Sequence, residues 1–295
     1  MSQPVPEQTI QYKGAFTDST RWTDFKNRPD DIFVCTPPKS GTTWMQAICA
    51  LLVFQTPDLK VNPAAISPWI DAAFSPIEDV LALLEKQTHR RIIKTHTPLD
   101  GIPFFPECQY ICVYRDPRDV YLSFRSHIEN MKLDIPKAML EKSPEVGFRE
   151  WVATDFAPGE EAGPSLGSIL HHLKSFQAFE SLPNIGLYHY SDLTKDLTSE
   201  MQAIADQLGI QVDSELLPRL AESASFRNMK SNAKDFAPGV DADFWHDSGR
   251  FFNKGTSGQW RDVISAIGNK EFAAALARGL SPDRAQWLMA GWSAS

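Results

Sequence analysis

The sequence contains no apolar run long enough to span a bilayer, and its N-terminus has no basic region followed by an apolar core. We therefore expect neither a membrane anchor nor a signal peptide, and we predict a soluble, cytoplasmic protein. The sequence also lacks a Cys-x-x-Cys pair, internal repeats and low-complexity tracts. These absences argue against a membrane protein, a thiol-ligated metal site and a repeat architecture.

Cysteine is scarce, and each of the four residues lies in or beside an apolar segment: Cys35, Cys49, Cys108 and Cys112. Free cysteine in such surroundings behaves as a small buried hydrophobic residue. We therefore expect buried, reduced thiols, which are usual in a cytosolic protein.

Positive charge is also in deficit, since the 295 residues carry a formal charge of -8. This balance argues against a general nucleic-acid-binding protein, although local basic clusters can still bind an anionic cofactor. The length suffices for one large α/β domain with a substantial core.

A short apolar run, Ile32 to Cys35, is followed by two prolines and then by Lys39-Ser40-Gly41-Thr42-Thr43-Trp44. The next residues have helical length and apolar content, so the pattern predicts a strand, a tight loop and a helix. A helix N-terminus offers free N–H groups and a partial positive charge, which attract anions. Because Lys39 adds a full charge and the threonines add hydroxyl groups, we predict a loop that binds phosphate or sulfate.

This loop differs from the nucleoside-triphosphate motif, because its lysine precedes Ser-Gly and Thr-Pro-Pro lies upstream. Lys-Ser-Gly-Thr-Thr-Trp after a strand resembles the phosphosulfate loop of the cytosolic-type sulfotransferases, which use 3'-phosphoadenosine-5'-phosphosulfate (PAPS). The resemblance runs from about Tyr12 to the C-terminus, with the family's motifs in their expected order. It implies that the loop residues bind the cofactor, namely Lys39, Ser40, Gly41, Thr42, Thr43 and Trp44.

The segment 91–96 predicts a second strand, which ends before Pro98 because proline cannot continue a central strand. His96 therefore lies at a strand end, where open α/β sheets place ligands. A lone histidine is usually structural, but Lys94-Thr95-His96-Thr97-Pro98 is similar to the family's Lys-Thr-His-x-Pro segment. The resemblance implies that His96 is the catalytic base and that Lys39 and Lys94 assist it.

A third strand is predicted at 109–115, followed by a helix to about residue 130. Arg115 at the strand end and Ser123 on the helix match the family's residues that hold the 3'-phosphate of the cofactor. Arginine offers a forked, permanently charged donor and serine adds a hydroxyl group.

Two later segments resemble the family's adenine site. Tyr190-Ser191-Asp192-Leu193 follows a predicted strand at 184–190 and matches a Tyr-x-Asp-Leu/Met motif whose tyrosine approaches the adenine. Phe226, in Ser-Phe-Arg-Asn-Met, matches a phenylalanine that stacks on adenine opposite the tryptophan of the first loop, here Trp44. Two aromatic faces around a purine are physically reasonable, since stacking adds to area burial.

The segment 251–260 matches the family's Arg-Lys-Gly-x-x-Gly-x-Trp signature with one departure, because Asn253 replaces the arginine. Lys254 and Gly255 can still meet the 3'-phosphate, and Arg250 lies near enough in sequence to compensate. The departure bears on cofactor affinity. The family's dimerisation signature is poorly matched between residues 261 and 270, so the oligomeric state stays open.

The remaining sequence predicts helices at 77–86, 167–181, about 194–208 and 213–223, and a terminal helix around 282–288. Residues 1–30 are expected to form a polar, weakly structured arm. Residues 131–167, rich in Pro, Gly and acidic residues, are expected to form a mobile acceptor-side loop or short helices. Apolar residues in irregular segments are candidate walls of an acceptor pocket: Phe16, Trp69 and Phe74.

Strands alternate with helices, which predicts a single α/β domain with a central parallel sheet flanked by helices, like a P-loop nucleotide kinase. The predicted function is sulfuryl transfer from PAPS to a hydroxyl, or an amine, of a small, hydrophobic acceptor. No metal is required, because lysine and backbone dipoles supply the positive field. Three alternatives stay open: a kinase using ATP and Mg²⁺, a non-catalytic binding protein, and an enzyme that dehydrates its substrate through a transient sulfate ester.

Overall fold

Four short parallel strands form the central sheet of the computed structural model, which describes residues 4–132, 138–159, 164–236, 238, 244–252 and 255–292. They are β1 Ile32–Cys35, β2 Ile92–Thr95, β3 Gln109–Tyr114 and β4 Ile185–His189. Their order in the sheet is β2-β1-β3-β4. The three pairings are parallel, which confirms the predicted α/β class.

Alternate residues of the strands enter two separate hydrophobic cores. Phe33 and Cys112 face one core, which also contains Trp287, whereas Val34 and Ile111 face the other. A sheet that is covered on both faces has strands that read as continuous apolar runs. This explains why the sequence shows unbroken runs here instead of a period of two. The four cysteines are free and buried, as predicted.

Fourteen helices can be bounded among the described residues, besides four short 3₁₀ helices. The α-helices are α1 Thr42–Phe54, α2 Pro63–Ile66, α3 Ile77–Lys86, α4 Pro117–Asn130, α5 Ala138–Glu141, α6 Pro144–Ala153, α7 Leu166–Gln177, α8 Tyr190–Lys195, α9 Leu197–Leu208, α10 Leu216–Ala224, α11 Phe226–Ser231, α12 Ala233–Phe236, α13 Ala266–Gly279 and α14 Pro282–Ala290. The 3₁₀ helices are Ser19–Asp24, Leu99–Gly101, Ser248–Phe251 and Gln259–Asp262.

The carboxyl ends of the four strands meet at one edge of the sheet. Cys35 is in register with Thr95 on one side and with Cys112 on the other, and Tyr114 is in register with His189. The residues that follow the strands are therefore neighbours in space, as expected at the ligand-binding edge of a parallel sheet.

The N-terminal segment is more ordered than the sequence suggested. Trp22, in a 3₁₀ helix, and Phe25 are buried in the core against Phe33 of β1. The prediction of a weakly structured arm was therefore wrong for residues 19–25, whereas residues 4–12 form no helix or strand. The polar composition concealed a few large aromatic side chains, each of which buries enough area to fix the segment.

Most helix predictions were confirmed to within a few residues, and one region differed. The helix expected at about 194–208 is two helices, α8 and α9, which are separated at Asp196, whose side chain caps α9. Within the expected loop at 131–167, the described residues form short helices, α5 and α6, which was one of the two forms predicted.

Candidate active site

The loop after β1 leads directly into the N-terminus of α1. Lys39 adopts a left-handed backbone conformation, with φ of 68°, and Gly41 has φ of 120°. A side chain at Gly41 would be strained, and its Cβ would come within 3.2 Å of the Tyr190 ring. Gly41 is the N-cap and has no side chain to cap the helix, so the first N–H groups of α1 are available to an anion.

His96, the residue after β2, is fixed by a hydrogen bond to the loop. Its Nδ1 lies 2.6 Å from the carbonyl oxygen of Thr36, which can only accept, so Nδ1 carries the proton and Nε2 is the free base. Burial lowers the pKa of His96 well below its usual value, and the charge of Lys94 lowers it further. The edge of the ring packs against Trp69, with centroids 4.8 Å apart.

Two partly buried lysines lie close enough to repel each other. Burial lowers the pKa of Lys39 to about 7, with Lys94 and Arg115 contributing, and burial lowers the pKa of Lys94 to about 8. The Lys39 ammonium donates to Nδ1 of His127 over 2.9 Å. Lys94 Nζ lies 4.5 Å from the ring centroid of Trp69. An anion between the two ammonium groups would relieve their repulsion.

Arg115, the residue after β3, contacts residues 255–258, which contain two glycines and form the glycine-containing loop. Its Nη2 donates to the carbonyl oxygen of Thr256 over 3.0 Å, and its guanidinium lies over the Tyr190 ring at 4.3 Å. Its Nε is buried and meets no hydrogen-bond partner among the described residues. A buried guanidinium donor without a partner is costly unless a ligand accepts from it.

One face of α4 faces the same region. Asp119 accepts a hydrogen bond of 2.7 Å from the N–H of Gly258 in the glycine-containing loop. Ser123 and His127 follow at intervals of four residues and therefore lie on the same helix face. This face extends from the glycine-containing loop to the ammonium group of Lys39.

Aromatic side chains lie beside these charged groups. Trp44 packs edge-on against Tyr190, with centroids 5.1 Å apart, and its indole N–H donates to the carbonyl of Ala224 over 2.8 Å. That hydrogen bond ties Trp44 to the end of α10, two residues before Phe226. Gly255 has φ of 65°, and a Cβ there would come within 2.4 Å of the Phe226 ring. The glycine therefore lets the loop lie against the ring.

The candidate acceptor residues lie near His96, which Trp69 contacts. Trp69 packs against Phe74, with centroids 5.5 Å apart, and Ala73 donates its N–H to the carbonyl of Phe16 over 2.9 Å. Phe16 and Phe74 are exposed by 44% and 65%. Two exposed phenylalanines beside a partly buried tryptophan provide an apolar approach to the histidine.

These residues can hold an anion with two separate charged groups. The first group would meet Lys39, the buried hydroxyl of Ser40, which has no partner among the described residues, and the N-terminus of α1. The second would meet Arg115. No cluster of three or more His, Cys, Asp or Glu side chains suited to a metal ion occurs in the described ranges.

Comparison with known proteins identifies the family. A family model described as a sulfotransferase domain matches residues 29–280. The chain is 34% identical to the glycolipid sulfotransferase of Mycobacterium bovis (strain BCG / Pasteur 1173P2) over 315 residues, covering 98% of this chain and 96% of that protein. The chain belongs to the sulfotransferase family. It is also 27% identical to human sulfotransferase 1C2 over 256 residues, or 84% of this chain and 82% of that one.

Solved structures of other sulfotransferase-like proteins share the fold. A mouse sulfotransferase complexed with PAP superposes with a TM-score of 0.71 at 22% identity, covering 92% of both chains. A retinol dehydratase in complex with retinol and PAP gives a TM-score of 0.72 at 23% identity, covering 90% of this chain and 87% of that one. These likenesses confirm the predicted P-loop-like fold.

In this member of the sulfotransferase family, most of the predicted site residues lie at one edge of the sheet. Asn253 and Lys254 lie outside the described residues, so their predicted roles stay predictions. Arg250, the candidate substitute for the missing arginine, forms an exposed ion pair with Glu129 at 2.9 Å. In the described part of the chain, no helix is long and apolar enough to cross a membrane.

Two residues beside the predicted site residues were not predicted from the sequence. His127 receives the hydrogen bond from Lys39, and its spacing of four residues after Ser123 could have indicated it. Asp71 is buried beside the strand end that carries His96, and its only sequence signal is one carboxylate in an otherwise apolar segment. His171 and His172 were left unassigned, and they bond to Asp100 and Tyr114.

Proposed function

We propose that the protein transfers a sulfuryl group from PAPS to a hydroxyl group of an amphiphilic acceptor, with glycolipids as the favoured class. The observation that carries the proposal is the hydrogen bond between His96 and Thr36, which leaves the basic Nε2 of a neutral imidazole next to two lysines. A neutral base beside a cationic anion-binding loop suits the transfer of an anionic group to an alcohol.

In this proposal, His96 removes the proton from the acceptor hydroxyl. The geometry fixes Nδ1 as the donor to Thr36, so Nε2 receives the proton. A general base must lie within about 3 Å of the proton that it accepts. The T-shaped contact with Trp69 holds the plane of the ring and gives the acceptor an apolar surface to lie on.

Lys39 and Lys94 supply the positive charge of the site. PAPS brings an activated sulfuryl group whose transfer leaves negative charge on a phosphate oxygen. Lys39 would donate a hydrogen bond to that oxygen, since its ammonium has three N–H donors and one of them meets His127. Lys94 contributes a second ammonium, and the N–H groups at the start of α1 fix the anion.

The remaining residues hold the nucleotide. Arg115 has a buried Nε free to bind the 3'-phosphate, and Ser123 lies on the adjacent helix face. Trp44, Tyr190 and Phe226 provide aromatic surfaces for the adenine.

The acceptor class is proposed from two sources. The mycobacterial relatives that share 34% identity over nearly the whole chain are named glycolipid sulfotransferases. In this chain, Phe16 and Phe74 expose apolar area beside Trp69, where the lipid part of a glycolipid can pack while its sugar hydroxyl reaches His96.

Calorimetry with 3',5'-adenosine diphosphate (PAP) and with ATP plus Mg²⁺ tests the donor. We expect selective binding of PAP, because ATP has no 3'-phosphate to accept from Arg115. A preference for ATP with Mg²⁺ would overturn the assignment and favour the kinase alternative.

A series of alkyl glucosides of increasing chain length tests the acceptor, with PAPS as donor. We expect KM to fall as the chain lengthens and Phe74→Ser to flatten that trend. Ile267→Ser is the matched control, because Ile267 is 60% exposed and lies on α13. An equal response to chain length in the Phe74 variant and the unmodified protein would show that Phe74 does not line the acceptor pocket.

A further inference from the structure

A short segment, residues 68–71, runs beside β2 and ends in a buried carboxylate. Lys94 donates its N–H to the carbonyl of Pro68 over 2.9 Å, and Trp69 forms a parallel bridge with Lys94. The segment is therefore anchored along the strand that ends at His96. Asp71, its last residue, is completely buried at the carboxyl end of β2.

The carboxylate of Asp71 binds the residues on both sides of His96. Its Oδ2 accepts a hydrogen bond of 2.6 Å from the hydroxyl of Thr95 and another of 2.6 Å from the hydroxyl of Thr97. The Thr95 hydroxyl in turn accepts from the N–H of Thr97 over 3.0 Å. These three bonds enclose the backbone of His96, so the position of its imidazole depends on the carboxylate.

Asp71 also acts on the charge of the site. Its carboxylate raises the pKa of Lys94, which opposes the lowering caused by burial. The other titratable groups whose charges interact across the described part of this region are Lys39, His96, Arg115, His127 and His172. Each of these is neutral or cationic, so Asp71 is the acidic side chain that favours the ammonium form of Lys94. Oδ2 accepts a third hydrogen bond from the indole N–H of Trp22, which ties the carboxylate to the N-terminal segment.

We propose that Asp71 is a positioning residue for sulfuryl transfer. It holds His96 through Thr95 and Thr97, and its negative charge stabilises the ammonium form of Lys94. The inference rests on the proposed roles of His96 and Lys94. Burial raises the pKa of Asp71, and the hydrogen bonds from Thr95, Thr97 and Trp22 oppose that rise, so they favour the carboxylate form that the proposal requires. A neutral side chain could replace part of the hydrogen bonding but not the charge.

Steady-state kinetics of Asp71→Asn across pH test the proposal, because asparagine keeps the shape and one oxygen acceptor. We expect kcat to fall roughly 10- to 100-fold, which is the effect of a small misplacement of a catalytic group. We expect the affinity for PAP to stay within about threefold, and the loss of activity at high pH to begin at a lower pH, because Lys94 loses its opposite charge.

Two sets of matched variants separate the positioning of His96 from the charge of Asp71 and from the stability of the fold. Thr97→Val, alone or with Thr95→Val, removes hydroxyl donors but keeps the carboxylate, so kcat should fall while the high-pH limb stays in place. Asp31→Asn removes a buried carboxylate at the opposite end of the sheet, where Asp31 pairs with Arg91 over 2.8 Å. It should lower the melting temperature and leave both kcat and the pH profile unchanged.

The outcomes decide the inference. Wild-type kcat and an unmoved high-pH limb in Asp71→Asn would overturn it, as would an Asp31→Asn variant with the same kinetic losses. Should Asp71→Asn fail to fold, the Thr95→Val/Thr97→Val pair decides, because wild-type kcat in that variant would also overturn the proposal. Full activity of His96→Ala would instead remove the proposed mechanism, whereas an inactive His96→Ala beside a fully active Asp71→Asn would remove only the role of Asp71.

Discussion

His96 and Thr36 join the ends of two neighbouring strands through a hydrogen bond of 2.6 Å from the imidazole Nδ1 to the backbone carbonyl. Thr36 is the first residue after β1, and His96 is the first after β2. Since Cys35 and Thr95 are in register, this bond follows from the parallel pairing itself. The fold therefore selects the tautomer, and Nε2 is the basic nitrogen.

Replacing His96 tests whether this nitrogen is the base. His96→Asn keeps an amide that can donate to the Thr36 carbonyl but has no basic atom, so it removes the chemistry while preserving the contact. We expect kcat to fall by about 10²- to 10⁴-fold. PAP affinity, measured by calorimetry, should change little.

A histidine elsewhere provides the control for that substitution. His89→Asn alters a ring that packs against Phe54 and contacts the carbonyl of Arg90, and it should leave kcat unchanged. Turnover near the wild-type rate in His96→Asn would contradict the assignment of the base.

The four strands were predicted well from the sequence, for a physical reason. A strand that is buried on both faces must be apolar throughout, and it must stop where a polar or proline residue meets the sheet edge. The strand ends indicated where a ligand would bind, but Lys39, His96, Arg115 and Tyr190 were selected because their motifs resemble those of the sulfotransferase family. What they touch could not be predicted, because those contacts depend on the pairing of distant segments.

Asp71 and His127 illustrate that limit. Asp71 meets the His96 segment only because residues 68–71 run along β2, and no local pattern predicts that pairing. His127 accepts the hydrogen bond from Lys39 only because α4 lies beside the loop after β1. The buried N-terminal segment was missed for the opposite reason, since its mean polarity outweighed Trp22 and Phe25 in the sequence pattern.

The two lysines make donor binding pH-dependent. In the free protein the pKa is about 7 for Lys39 and about 8 for Lys94, so raising the pH through this range removes the charges that attract PAPS. We expect kcat/KM for PAPS to fall as pH rises from about 7 to above 8, with no matching loss near the usual pKa of histidine, because His96 is already neutral there.

Proton uptake checks the same pKa values independently. Calorimetry of PAP binding near pH 8, repeated in buffers of different ionisation enthalpy, should show protons taken up as the bound anion raises the lysine pKa values. Lys39→Met should take up fewer protons. Binding without proton uptake, together with a flat kcat/KM profile, would contradict the lowered pKa values.

Arg115 should determine the preference for a 3'-phosphate. A charge-assisted hydrogen bond contributes roughly 1.5–3 kcal/mol, so Arg115→Ala should weaken PAP binding by about 10- to 100-fold. Binding of 5'-AMP, which lacks the 3'-phosphate, should change much less. Arg149→Ala is the control, because Arg149 forms an exposed ion pair with Glu271. Equal losses for the two nucleotides would place Arg115 elsewhere in the site.

Two glycines with the same backbone conformation separate local strain from damage to the adenine site. Gly209 and Gly255 both have φ of 65°, so alanine at either position costs about 1 kcal/mol of conformational strain. A Cβ at Gly209 meets nothing within 4 Å, whereas at Gly255 it comes within 2.4 Å of the Phe226 ring.

Gly209→Ala should therefore lower only the melting temperature. Gly255→Ala should also weaken PAP binding by up to about tenfold, because the displaced ring loses a stacking contribution of about 0.5–1.5 kcal/mol. Unchanged PAP affinity in Gly255→Ala, measured by calorimetry, would show that Phe226 does not support the adenine.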